Sequence, residues 1–133
     1  MRYMLLVYST EGPDGLPPEE EKRIRAGHAA VIDESTRKGA LVGAEPLAPT
    51  STATTVRLQD GKAVVIDGPF AETKEQLAGY YILDCKDLDE AIDWAARIPT
   101  ECHGRQGCIE IRPLRRQSQP EPATILAHDS RTA

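Results

Sequence analysis

A chain of 133 residues with a formal net charge of -5 has room for one domain and should bury about two-thirds of its unfolded surface in a single core. With 16 Lys and Arg against 21 Asp and Glu, it lacks the clustered positive charge that tracks phosphates, so nucleic acid is not an expected partner. The longest apolar run near its start, residues 3–8, is far shorter than the about 20 residues of a membrane helix, and its 3 cysteines have no disulfide-framework spacing, so the expected setting is the cytoplasm, off the membrane, with reduced thiols.

Residues 2–10 are nearly all apolar. Tyr3, Leu5 and Val7 fall on one face of a strand and Met4, Leu6 and Tyr8 on the other, which predicts burial on both sides. Residues 11–18 collect Gly12, Pro13, Gly15, Pro17 and Pro18, a turn-rich link whose last proline suits the first turn of a helix, where the missing N–H is no loss. The helix then covers residues 18–38. Glu19, Glu20 and Glu21 sit at the positive end of its dipole, and Arg37, Lys38 and Gly39 mark its stop. Within it Ile24, His28, Val31, Ile32 and Ser35 recur at steps of three and four, which places His28 on the inward stripe.

A second strand is expected over residues 40–47. Asp60-Gly61, lying between β-prone runs at 54–59 and 62–67, predicts a two-residue hairpin turn with positive φ at both central positions. Residues 79–84 form the next strand. Asp87 followed by Glu90 gives a capping-box pattern ahead of a second helix that ends near Ile98. Residues 108–112 alternate cleanly and close at Pro113, the last strand. Residues 115–133 are rich in Gln, Ser, Pro and Thr, with Ile125 and Leu126 the main apolar pair, the composition of a tail that follows a domain over residues 1–114.

Two helices interleaved with a mainly antiparallel sheet predict an α+β, ferredoxin-like arrangement with both helices on one face. The other face then needs a cover. Apolar side chains on both sides of the first strand favour a second copy packed sheet against sheet, a two-fold homodimer. The C-terminal tail is the competing cover.

Asp67-Gly68-Pro69-Phe70, the run from Ala71 to Leu77, and the strand Gly79-Tyr80-Tyr81-Ile82-Leu83-Asp84 form one long motif. With Trp94-Ala95-Ala96-Arg97-Ile98-Pro99, His103-Gly104 and Glu110-Ile111-Arg112-Pro113, this stretch closely resembles the YCII-related family, specifically its DGPF-domain branch. The resemblance spans about residues 1–114 and implies a dimeric α/β barrel of ferredoxin-like units. In simpler members it also implies a histidine on the first helix paired with an aspartate after the second. Counting back from Gly39, His28 stands at the histidine position. The aspartate does not carry over, because Ile98 occupies its place in Arg97-Ile98-Pro99, and Asp67 is the available substitute.

Each candidate residue has two readings. His28 is either a general base near neutral pH, tuned by a carboxylate, or a satisfied core histidine. Asp67 either aims a carboxylate into a pocket or makes an Asx turn before Gly68. Phe70 walls a pocket or plugs the core. Glu72, Lys74 and Glu75 hold a polar ligand or form a solvated charge run. Cys102, His103 and Cys108 lack a Cys-x-x-Cys pair and a fourth ligand, so no metal is expected; His103-Gly104 reads as the turn into the last strand. Neither a phosphate loop, nor a Gly-x-Ser-x-Gly elbow, nor His-Glu-x-x-His is present in the sequence, and no cofactor is implied. Three functions follow: an acid–base enzyme for a small polar molecule with His28 as base and Asp67 orienting it, a metabolite-sensing module of the kind associated with sigma-factor signalling, or a structural dimer.

Overall fold

The computed structural model describes residues 1–12 and 14–115; the tail expected after residue 114 lies almost entirely outside them. β1 (Arg2–Ser9) is followed by α1 (Pro18–Arg37), β2 (Leu41–Pro46), β3 (Thr54–Gln59), β4 (Lys62–Asp67), β5 (Gln76–Asp84), α2 (Leu88–Ala95) and β6 (Cys108–Pro113). Four strands make one antiparallel sheet in the order β2-β5-β1-β6, while β3 and β4 pair only with each other. The helices connect β1 to β2 and β5 to β6, and in each case one strand lies between the two that a helix connects. That is the split βαβ pattern of the expected ferredoxin-like fold.

The alternation along β1 decides which face the helices cover. Tyr3, Leu5 and Val7 pair across to Leu83, Tyr81 and Gly79 of β5 and to Pro113, Ile111 and Ile109 of β6. These side chains share one face, and on it Leu5 and Leu83 are wholly buried. Val31 of α1 and Ala91, Trp94 and Ile98 from α2 and the turn after it complete the core. The opposite face carries Met4, Leu6, Tyr8, Tyr80 and Ile82, each half-buried. Among the described residues no helix is long and apolar enough to cross a membrane.

Local chemistry explains the element ends. Pro18 opens α1 with Glu19, Glu20 and Glu21 in its first turn, and Gly39 ends it at φ 73°, a left-handed angle that glycine adopts without strain. Asp87 caps α2 by accepting from the Glu90 N–H at 3.0 Å. The α-helix stops at Ala95, three residues before the expected end, because the N–H groups of Arg97 and Ile98 bond three residues back, to Trp94 and Ala95. Asp60 and Gly61 have φ of 52° and 77°, the primed turn expected of that pair. His103 and Gly104, at 54° and 72°, form the expected turn, closed by reciprocal 3.0 Å backbone bonds between Cys102 and Arg105. Where α1 ends and α2 turns, Glu34 pairs with both Lys38 and Arg97, and those two cations lie 5.5 and 4.8 Å from the Trp94 ring centre.

Two expectations are corrected. β5 starts at Gln76 rather than at residue 79, because a shift of register between Val7 and Tyr8 lets Leu77 and Gln76 pair with Tyr8 and Ser9. Gln76 also accepts the Glu11 N–H at 2.8 Å and donates to the Thr73 carbonyl at 2.6 Å, so the charged run ends in a strand instead of a loop. Phe70 does not plug the core. It is 76% exposed, because it follows a hairpin that stands off the main sheet.

Candidate functional site

α1 lays its inward stripe over the sheet unevenly. Val31 and Ser35 are buried, whereas Ile24 and His28 nearer its start are half-buried and Ile32 is 38% exposed. The difference is a cavity of about 470 Å³ between the first half of α1 and the ends of β1, β2 and β5, within the usual size range of small-molecule sites. Val7, Leu16, Ile24, Ala29, Ile32, Ala44, Pro46, Ala78 and Gly79 give it mainly apolar walls. Glu21, Arg25, His28, Glu45, Tyr80 and Tyr81 also line it. Gly79 is required here: a Cβ would come within 2.8 Å of the Glu45 carbonyl oxygen, a backbone atom that cannot swing aside.

His28 Nδ1 lies 2.6 Å from the Tyr81 hydroxyl, and the two rings stack with centres 5.9 Å apart and planes 17° apart. Tyr81 is 3% exposed, and burial pushes its hydroxyl up to about 12. Burial also lowers His28 below its ordinary value of 6.5. Burial thus favours the neutral form of both groups at pH 7, and the hydrogen bond bears on the tautomer. The Tyr81 O–H needs an acceptor, and the unprotonated Nδ1 supplies it. Were Nδ1 the donor, the Tyr81 O–H would have to turn to water in the cavity that Tyr81 lines. The arrangement that pairs both groups within the protein has Tyr81 donating to Nδ1 and the ring proton on Nε2. At the rim Arg25 is tied to Glu21 at 2.7 Å, and among the described residues Glu45 makes no ion pair.

The other candidates lie elsewhere in the chain. Asp67 ends β4 opposite Thr54 and is exposed; the turn after it is closed by the Gly68 N–H bonding to the Ala53 carbonyl at 2.7 Å and by Thr55 donating to the Gly68 carbonyl at 2.8 Å. Neither Asp67, Phe70 nor Glu72 lines the His28 cavity of the same chain. Lys74 and Glu75 line a separate polar hollow with Thr10, Arg105 and Gln106. Ile98, at the place of the missing aspartate, is a core residue. Among the described residues no three or more His, Cys, Asp or Glu side chains cluster to hold a metal ion.

Tyr81 is the residue that reading the sequence missed. The signal was present: it alternates with Leu83 on a buried strand face, and a tyrosine there needs a partner for its hydroxyl, which a histidine on the facing helix stripe supplies.

Comparison with known proteins follows the same outline. The chain matches the profile of the YCII-related domain over residues 1–118. It is 40% identical over 115 residues to an uncharacterised protein of Rhizobium meliloti (strain 1021), an alignment covering 86% of this chain and 92% of that protein. The chain belongs to the YCII-related family.

Proposed function

We propose that the cavity under α1 is a small-molecule catalytic site in which His28 acts through Nε2–H, as a neutral hydrogen-bond donor to an oxygen of the bound molecule. The observation that carries this reading is the 2.6 Å contact between His28 Nδ1 and the Tyr81 hydroxyl, at the wall of a cavity of ligand size. Tyr81 takes the orienting role for which Asp67 was the sequence candidate. It also reverses the resting role of the imidazole, from a base to an N–H donor that can hydrogen-bond and polarise an oxygen of the bound molecule.

A thermal-shift screen of small molecules tests it, since binding to the native state alone raises Tm by mass action. Compounds that raise Tm in the native protein should lose that effect in His28→Gln and be weakened in Tyr81→Phe. Undiminished binding in both variants would refute the reading. Hits that exchange no hydrogen with D2O and are recovered chemically unchanged would point to the sensing module, a reading favoured by the absence, among the described residues, of a carboxylate hydrogen-bonded to His28.

We further propose a homodimer formed through the sheet face that carries Met4, Leu6, Tyr8, Tyr80 and Ile82, half-buried with neither helix over it. Light scattering should give about twice 14.6 kDa at micromolar concentration, and a monomer in dilute buffer would refute it. A cytoplasmic location is part of the same proposal, supported by three free cysteines.

A further inference from the structure

We propose that the molecule taken by the His28 cavity is a compact, uncharged carbonyl compound, with its oxygen on the Nε2–H of His28 and an apolar body against α1 and β2. This rests on the reading of His28 as a donor and adds the ligand's chemistry to it. A cavity of about 470 Å³ is of the size that takes a small molecule of one or two rings. Ile24, Ala29, Ile32 and Ala44 are among its walls and reward an apolar body.

Charge narrows the class. A carboxylate would enter beside Glu21 and Glu45, where the one cation lining the cavity, Arg25, is already paired at 2.7 Å. An ammonium would be attracted to those carboxylates at the rim but would meet an N–H at His28, donor against donor. A hydroxyl accepts from Nε2–H but brings a proton of its own, which must reach the exposed Glu45 carboxylate or water to be paired, so it should bind less well than a carbonyl. A carbonyl oxygen accepts and brings no donor, so it satisfies His28 without creating a new buried polar group.

Histidine-labelled protein titrated with a matched set tests the class: cyclohexanone, cyclohexanol, cyclohexanecarboxylate and cyclohexylammonium at pH 7.5, followed by 15N–1H correlation spectra. Cyclohexanone should shift the Nε2–H signal of His28 and bind at least about ten-fold more tightly than either ion, with cyclohexanol between them. Ala29→Phe, which fills the wall from the exposed side of α1, should abolish the ketone response without altering the resting tautomer. Equal or tighter binding of the carboxylate or the ammonium would overturn the inference, as would no ketone response at His28 up to the solubility limit. The spectrum before titration separates the two failures. A proton on Nδ1 there removes the donor reading itself, whereas a proton on Nε2 combined with a preference for an ion removes only the ligand class.

Discussion

Replacing Tyr81 by phenylalanine removes one oxygen and keeps everything else that the ring does. Tyr81 is 3% exposed and belongs to the core with Leu5 and Leu83, and its stacking on His28 at 5.9 Å depends on the ring alone. The change therefore reads the 2.6 Å hydrogen bond to Nδ1. A net hydrogen bond contributes about 0.5–1.5 kcal/mol, and a buried acceptor left dry costs up to about 3 kcal/mol. His28 is half-buried at a cavity wall, where water can replace the hydroxyl, so a loss of about 1 kcal/mol is expected in urea unfolding, with the m-value unchanged. The same variant should raise the pKa of His28 toward its ordinary value, because the Tyr81 O–H bonds to the neutral imidazole and so opposes its protonation. Unchanged stability together with an unchanged His28 titration would refute the coupling of the two residues.

Other outcomes follow from the same geometry. Because burial lowers His28 in the folded state from 6.5, the unfolded chain takes up this proton first, so its contribution to stability is complete above pH 6.5 and should be lost as the pH falls below it; unfolding midpoints of native protein and His28→Gln between pH 5 and 8 measure the difference. The Tyr81 hydroxyl, raised from 10.0 to about 12, ionises first in the unfolded chain, so about 2–3 kcal/mol should be lost as the pH rises from 10 to 12, and Tyr81→Phe should flatten that limb. Gly79→Ala would force the Glu45 carbonyl away from a Cβ placed 2.8 Å from it, with an expected cost of about 1–3 kcal/mol in thermal or urea unfolding and a weakening of any ligand bound at the cavity. Leu5→Ala, at a fully buried position, should cost about 2–5 kcal/mol by the same assay.

The fold was largely legible because its signals are local. A short apolar run marked β1, the Pro18 start and Gly39 stop marked α1, and Asp60-Gly61 marked the hairpin, each a local signal that tertiary contacts did not need to override. The start of β5 was not legible, since Gln76 and Leu77 become strand only through pairing with Ser9 and Tyr8 across a register shift, a long-range event. Phe70 misled for a related reason: a lone phenylalanine reads as core, yet the hairpin before it makes no place in the main sheet. For the site, helical spacing correctly brought His28 to the inner face. Its partner could not be read from adjacency, because the 2.6 Å bond joins residues 53 apart; only the need of a buried tyrosine hydroxyl for an acceptor pointed to it.

The central claim is that Tyr81 holds His28 as a neutral imidazole with its proton on Nε2. Long-range 15N–1H correlation of the histidine rings at pH 7.5 reads this directly, since the protonated and unprotonated ring nitrogens resonate far apart. The expected spectrum shows His28 with Nδ1 unprotonated and Nε2 protonated in the native protein, and a mixture of the two tautomers in Tyr81→Phe. A proton found on Nδ1, or an imidazolium at that pH, would contradict the account.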